Sequence, residues 1–183
     1  MVVKNVLIEA CKLVGLSDVV EYLNGKSDTC DEEELGDLLV AINMAINNIS
    51  ANYINVCKRV SVGSVNGQIK FSKISDKSII QIKKVLKNNL PVKFKVHSDG
   101  IEVDNGDYEV VYSFFPDSVY LKDEIDYFPQ LNELLLAYAV VAEYLFLKGQ
   151  IDDAYVWDKR FKASMLSIQR PTRNITLPKR RWW

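Results

Sequence analysis

The chain has 183 residues, with 23 Lys+Arg, 24 Asp+Glu, one His and an apolar fraction of 48%. That suits one domain with a real core and leaves room for a small subdomain. The longest apolar run, Leu134 to Ala142, is far short of the roughly 20 residues of a membrane span, and with a net charge of −1 overall only the end of the chain is a strong candidate for a nucleic-acid or acidic partner.

The N-terminus, MVVKNVLIEACKLVG, is amphipathic, without the continuous apolar stretch and small-residue cleavage site of a secretory leader, so synthesis in the cytoplasm is expected. Val3, Val6, Leu7, Ala10, Cys11 and Val14 recur at helical spacing over 2–14, and Gly15 predicts the stop. A linker containing NGKSDT follows. Asp31 is the expected N-cap of a long helix running to about Ile54, with Glu34 three residues on. Leu35, Leu38, Leu39, Ile42, Ala45, Ile46, Ile49 and Tyr53 form its apolar stripe.

The middle changes character. Val60, Val62 and Val65 precede Asn66-Gly67, and Ile69, Phe71 and Ile74 follow, which predicts a hairpin over 56–75. Ile79 to Leu86 reads as a strand, Asn88-Asn89 with Pro91 as a turn, and 92–97 as a half-buried strand alternating Val92, Phe94 and Val96 with Lys93, Lys95 and His97. Asp99-Gly100 and Asn105-Gly106 are two further turns. They flank a short strand, Ile101 to Val103, and lead into Tyr108, Val110 and Tyr112.

Pro116 closes this part, and 119–128 is an acidic connector with Asp123, Glu124 and Asp126. Pro129 suits a helix start, Gln130 to Lys148 a second long helix closed by Gly149. That helix is apolar nearly all round and must be covered on several sides. Asp152 or Asp153 opens the last helix, with Ala154, Trp157, Phe161, Met165 and Ile168 along it, ending before Pro171. The expected fold is α+β, mainly α. A four-helix bundle (1–55 and 116–169) carries an inserted small antiparallel β-module (56–115) and ends in an extended arm (170–183).

Candidate chemistry is sparse. There is no nucleophile motif, no glycine-rich phosphate loop and no zinc-ligand spacing. Cys11, Cys30 and Cys57 read as free thiols, and His97 as a solvent-facing strand residue beside Lys93 and Lys95. The acids Asp31 to Glu34 suit a helix cap better than a metal, and Asp123, Glu124 and Asp126 lack a calcium-loop pattern. No catalytic, cofactor-binding or metal residue is expected. The aromatic residues of the last two helices read as core or subunit contacts, with Leu135, Tyr138, Tyr144, Phe146, Tyr155 and Trp157 as the contact candidates.

The end of the chain, RPTRNITLPKRRWW, stands apart. It holds Arg170, Arg173, Lys179, Arg180 and Arg181, no acid, and the terminal Trp182 and Trp183, so the rest of the chain keeps 18 basic residues against 24 acids. Pro171 and Pro178 favour extended backbone. A basic arm with two aromatic anchors reads as a docking element for a protein. The alternative is a nucleic-acid-binding module in which these groups, with Lys83, Lys84, Lys87, Lys93 and Lys95, meet phosphates and bases.

The segment 112–165, YSFFPDSVYLKDEIDYFPQLNELLLAYAVVAEYLFLKGQIDDAYVWDKRFKASM, resembles the C-terminal helical pair of tailed-phage head-to-tail adaptors. These ring proteins are also called connectors, or tail tubular proteins of the A type. The likeness lies in an extended stretch, an acidic loop, a proline, an apolar helix and a second helix with the aromatic stripe Tyr155, Trp157 and Phe161. The N-terminal helix pair and the Arg-rich, Trp-ended tail fit as well. The resemblance implies a structural virion protein at the head–tail junction. It would form a homo-oligomeric ring of twelve subunits below the portal protein, docked through the arm, with the next tail protein on its other side. Genomic DNA would pass through the lumen without sequence specificity, and no membrane would be involved.

Overall fold

The computed structural model describes residues 1–169; the predicted arm, 170–183, lies outside the described residues. Helix α1 (Val3–Val14) buries Val3, Val6, Leu7, Ala10 and Cys11, and Gly15 ends it in the left-handed region at φ 80°, where a side chain is disfavoured. A short helix α2 (Ser17–Leu23) follows where a linker was expected, burying Val19 and Leu23 against α1. Helix α3 (Glu32–Asn52) begins as predicted at Asp31, whose carboxylate accepts from the backbone N–H groups of Glu33 at 2.9 Å and Glu34 at 3.3 Å. Glu32, Glu33 and Glu34 add negative charge where the helix dipole favours it.

Strand β1 (Cys57–Ser64), strand β2 (Gln68–Lys70), helical turn α4 (Phe71–Ile74), strand β3 (Ile79–Lys87) and strand β4 (Leu90–Pro91) come next. Strands β5 (Lys95–Val96), β6 (Gly100–Glu102) and β7 (Gly106–Phe114) complete the middle of the chain. They form two antiparallel sheets, ordered β1-β7-β3-β4 and β2-β6-β5. Their shared core is Ile69, Ile74, Ile82, Val85, Ile101, Val103, Tyr108, Val110 and Tyr112.

The expected hairpin over 56–75 is not a paired one. Its turn exists, with Asn66 and Gly67 at φ 56° and 76°, but it is closed by a single bridge between Val65 and Gln68. All eight residues of β1 pair instead with β7, from Cys57 opposite Ser113 to Ser64 opposite Gly106. An eight-residue strand satisfies its backbone groups only against a partner of like length, which the three residues of β2 cannot offer. Only Lys95 and Val96 of the expected strand 92–97 are in a ladder, and both are exposed.

The chain then returns to the helices. Helix α5 (Glu133–Leu147) starts three residues later than expected, because Asn132 caps it by accepting from the Leu135 N–H at 2.8 Å. Helix α6 (Ile151–Gln169) follows after a tight turn. Nine of the fifteen α5 residues are buried, since α1, α3 and α6 all pack on this helix.

The expectation of a four-helix bundle with a small β-module is therefore corrected. Among the described residues there are six helices and two sheets, and strand makes up 23% against 46% helix. Four equal helices around a common seam would each need one apolar stripe. Here α5 has no polar face, so it is the axis and the amphipathic helices lean on it. The helices and the sheets have separate cores.

Two seams tie the returning chain to the helices. Asn43 of α3 donates to the Val119 carbonyl at 3.1 Å and accepts from the Val119 N–H at 2.7 Å. Val2 bridges Glu124 in an antiparallel pair, and the Ile125 N–H donates to the Met1 carbonyl at 2.7 Å.

Candidate functional site

The arm residues Arg170, Arg173, Lys179, Arg180, Arg181, Trp182 and Trp183 lie outside the described residues. The contact candidates separate into three groups. Leu135 and Tyr144 are buried inside their own chain. Tyr138 is half-buried on α5 with its ring 5.5 Å from that of Trp157 on α6, and the Arg160 guanidinium lies 4.9 Å from the Trp157 ring centroid. Phe146 and Tyr155 are exposed and meet edge to face at 5.7 Å.

Leu147, Ile151 and Val156 are exposed beside them, so an apolar ridge runs over the α5–α6 turn. The sequence reading missed these three. Leu147 and Ile151 sit at helix ends, where periodicity does not say which side is covered.

A polar knot stands at the same end of α5. Lys148 Nζ lies 3.1 Å from Glu34 Oε1 and 2.7 Å from Asp37 Oδ2. The Tyr144 hydroxyl donates to Glu34 Oε2. Burial first, and then the Glu34 carboxylate, push the Tyr144 phenol up from its ordinary range. Hydrogen bonds to Asp37 and Glu34 raise Lys148. Glu34 is thus committed to α5 rather than reaching back to its own cap. A half-buried group of this kind pins α3 to the end of α5.

Charge is divided between the two parts of the chain. Residues 56–115 hold ten basic and six acidic side chains, whereas the other described residues hold eight basic and eighteen acidic. Lys70, Lys73, Lys84, Lys93 and Lys95 are exposed. Lys83 and Lys87 are half-buried, and Lys87 lies over the Tyr108 ring at 5.3 Å. His97 is exposed, with Nε2 2.9 Å from Glu102 Oε2, and that contact lowers the Glu102 carboxyl.

Cys11 is buried, Cys30 half-buried and Cys57 exposed, all as free thiols. Burial and the nearby Glu34 charge push the Cys11 thiol up to about 12. Asp31 caps α3, and Asp123 accepts from the Tyr120 N–H at 2.8 Å. Among the described residues no group of three or more His, Cys, Asp and Glu side chains is placed to hold a metal ion, and no helix is long and apolar enough to cross a membrane. No protein-family model matches the chain, and no curated protein matches it.

Proposed function

We propose that this chain is a non-enzymatic structural adaptor of a tailed-phage particle, a ring subunit between portal and tail with DNA passing through its centre. The observation that carries the reading is the α5–α6 hairpin. It follows an acidic connector as in the adaptor resemblance, and its turn leaves Phe146, Leu147, Ile151 and Tyr155 uncovered. The split of charge supports a head-to-tail contact. A subunit with one acidic and one basic part offers unlike surfaces, and repeated heterologous contacts close into a ring when the rotation allows. In this reading the arm 170–183 seats its basic groups and tryptophans on the portal.

The test is co-sedimentation of the full chain and of a form lacking 170–183 with a purified portal ring. The full chain is expected to bind and the shortened form to fail. Equal binding by both removes the docking arm. A ring that forms equally well with Tyr155→Asp and Phe146→Asp removes the ridge as its contact.

The exposed lysines of residues 56–115 favour a second reading, a nucleic-acid-binding module. It requires DNA affinity of the isolated protein that falls steeply with salt. Affinity that is absent at low salt eliminates it.

A further inference from the structure

A groove of about 510 Å³ lies at the first turn of α5, between that turn and α1. Met1, Leu131 and Leu134 make its apolar floor, and Glu9, Asn132 and Glu133 its polar walls. Leu134 is 42% exposed there. Among the described residues Glu133 accepts a neutral hydrogen bond, from Asn5 Nδ2 at 3.1 Å, whereas Glu9 is paired with Lys12 at 2.7 Å. The Val2–Glu124 bridge and the Met1–Ile125 bonds hold the connector beside Met1, which brings the exposed carboxylates of Asp123, Glu124 and Asp126 to the same end. The groove is therefore apolar at its base and carries Glu133 and the connector carboxylates at its edge, with the Met1 ammonium beside them.

We infer that this groove receives the chain's own C-terminal segment, 170–183, when no other partner holds it. Three observations lead there. The first is position. The Tyr138–Trp157 and Phe146–Tyr155 contacts bracket the register of the antiparallel α5–α6 hairpin. The end of α6 then passes the first residue of α5 by two turns at most, up to roughly 10 Å. Fourteen extended residues span up to about 50 Å, so the segment reaches back to the groove with chain to spare. The second is charge. The segment has five basic residues and no acid, whereas the described residues outside 56–115 have eighteen acids against eight basic side chains. The third is shape and polarity. A floor of Met and Leu rimmed by carboxylates takes a tryptophan ring with an arginine or lysine beside it. Residues 56–115, with ten basic side chains against six acids, offer the same segment a poorer match.

The consequence is a competition. A segment held on its own helices is withheld from any docking partner. Its apparent affinity for that partner falls by the fraction of subunits in which it is free. This goes beyond the adaptor reading, because it concerns the subunit before assembly.

The test is hydrogen–deuterium exchange on the full chain at about 50 mM and about 500 mM salt, which brackets strong and weak screening. At low salt the amides of 172–177 and 179–183 are expected to exchange at least about tenfold more slowly than an unstructured chain. That protection should vanish at high salt, and in Glu9→Lys/Glu133→Lys, in parallel with loss of protection at 131–136. Unstructured-chain rates at both salts in the wild-type protein overturn the inference without any variant. So does protection that survives charge reversal while α3 and β7 stay protected, and so does protection that appears only as protein concentration rises, which assigns the contact to a second copy. Portal binding is a separate readout: it fails or succeeds by the arm's presence, not by these rates.

Discussion

The Tyr144 hydroxyl donates to the Glu34 carboxylate across the α3–α5 seam, joining residues 110 apart in sequence. Lys148, one turn further along, sits between Glu34 and Asp37 and over the Tyr144 ring at 5.6 Å. The Tyr144 residue is buried while Glu34 is half-buried, so the bond is partly screened from water. Tyr144→Phe is expected to destabilise the chain by about 1.5–3 kcal/mol, the range for a hydrogen bond to a charged group. Glu34→Ala should cost more, because it orphans the hydroxyl and one partner of Lys148 together. A double-mutant cycle by urea unfolding should give a coupling of about 1 kcal/mol between Tyr144 and Glu34. A coupling of zero would mean that the two side chains contribute independently.

The same seam makes stability sensitive to alkali. Tyr144 and the buried Cys11 both titrate higher in the folded chain than in the unfolded one. For an acid with a raised folded value, the stabilisation is complete below the unfolded value and is lost as pH climbs through the folded one. Stability should therefore hold to about pH 9, the ordinary thiol value, and fall between there and about 12, where Cys11 titrates. Cys11→Ala and Tyr144→Phe should each flatten the decline in unfolding free energy over that range. At pH 8, alkylation should mark Cys57 quickly and Cys30 next, and Cys11 only on unfolding. Rapid labelling of Cys11 in the native chain would contradict its burial.

Local signals were legible where one residue decides the geometry. Gly15 and Gly149 take φ of 80° and 74° at helix ends, and Asp31 caps α3 as its side chain dictates. Partner choice was not legible, because turn chemistry specifies a reversal and says nothing about which strand lies alongside. Asn66-Gly67 turns the chain, yet β1 finds β7, more than forty residues on. Helix α2 has only seven residues, too few for a period to stand out. In α5 a uniformly apolar surface hides which residues stay uncovered, so Leu135 and Phe146 look alike in sequence and differ in the fold. The groove at Met1 and Leu134 joins residues more than 130 apart and leaves no trace in any local window.

Asn43 offers a sharper test of the joint between the helices and the returning chain. Its side-chain amide imitates a strand neighbour, giving and taking one hydrogen bond with the backbone of Val119. It also donates to Leu39 of its own helix at 2.7 Å. Val119 is buried, so its backbone groups have no ready water. Asn43→Ala is expected to cost about 2–3 kcal/mol and to speed amide exchange at Val119 well beyond that cost at distant sites. Asn43→Asp keeps the acceptor and loses the donor, and should fall between the two. Equal exchange at Val119 in all three forms would show that the connector is held by its side chains alone.

Gly100 tests whether the two cores can fail separately. It opens β6 opposite Lys70, and a Cβ placed there would stand 2.3 Å from the Ile69 carbonyl oxygen and 3.0 Å from the Lys70 Cα. Those are backbone atoms of a strand with Ile69 fully buried, so nothing nearby can swing aside. Gly100→Ala should therefore push β2 from β6 and cost about 1–3 kcal/mol or more, the range for an overpacked core. Helices α1, α3, α5 and α6 share no core residue with this site. Amide exchange should rise across β2, β5 and β6 while α1, α3 and α5 keep their wild-type protection. If the helices lose protection in step with β6, the chain unfolds as one unit in spite of its two cores.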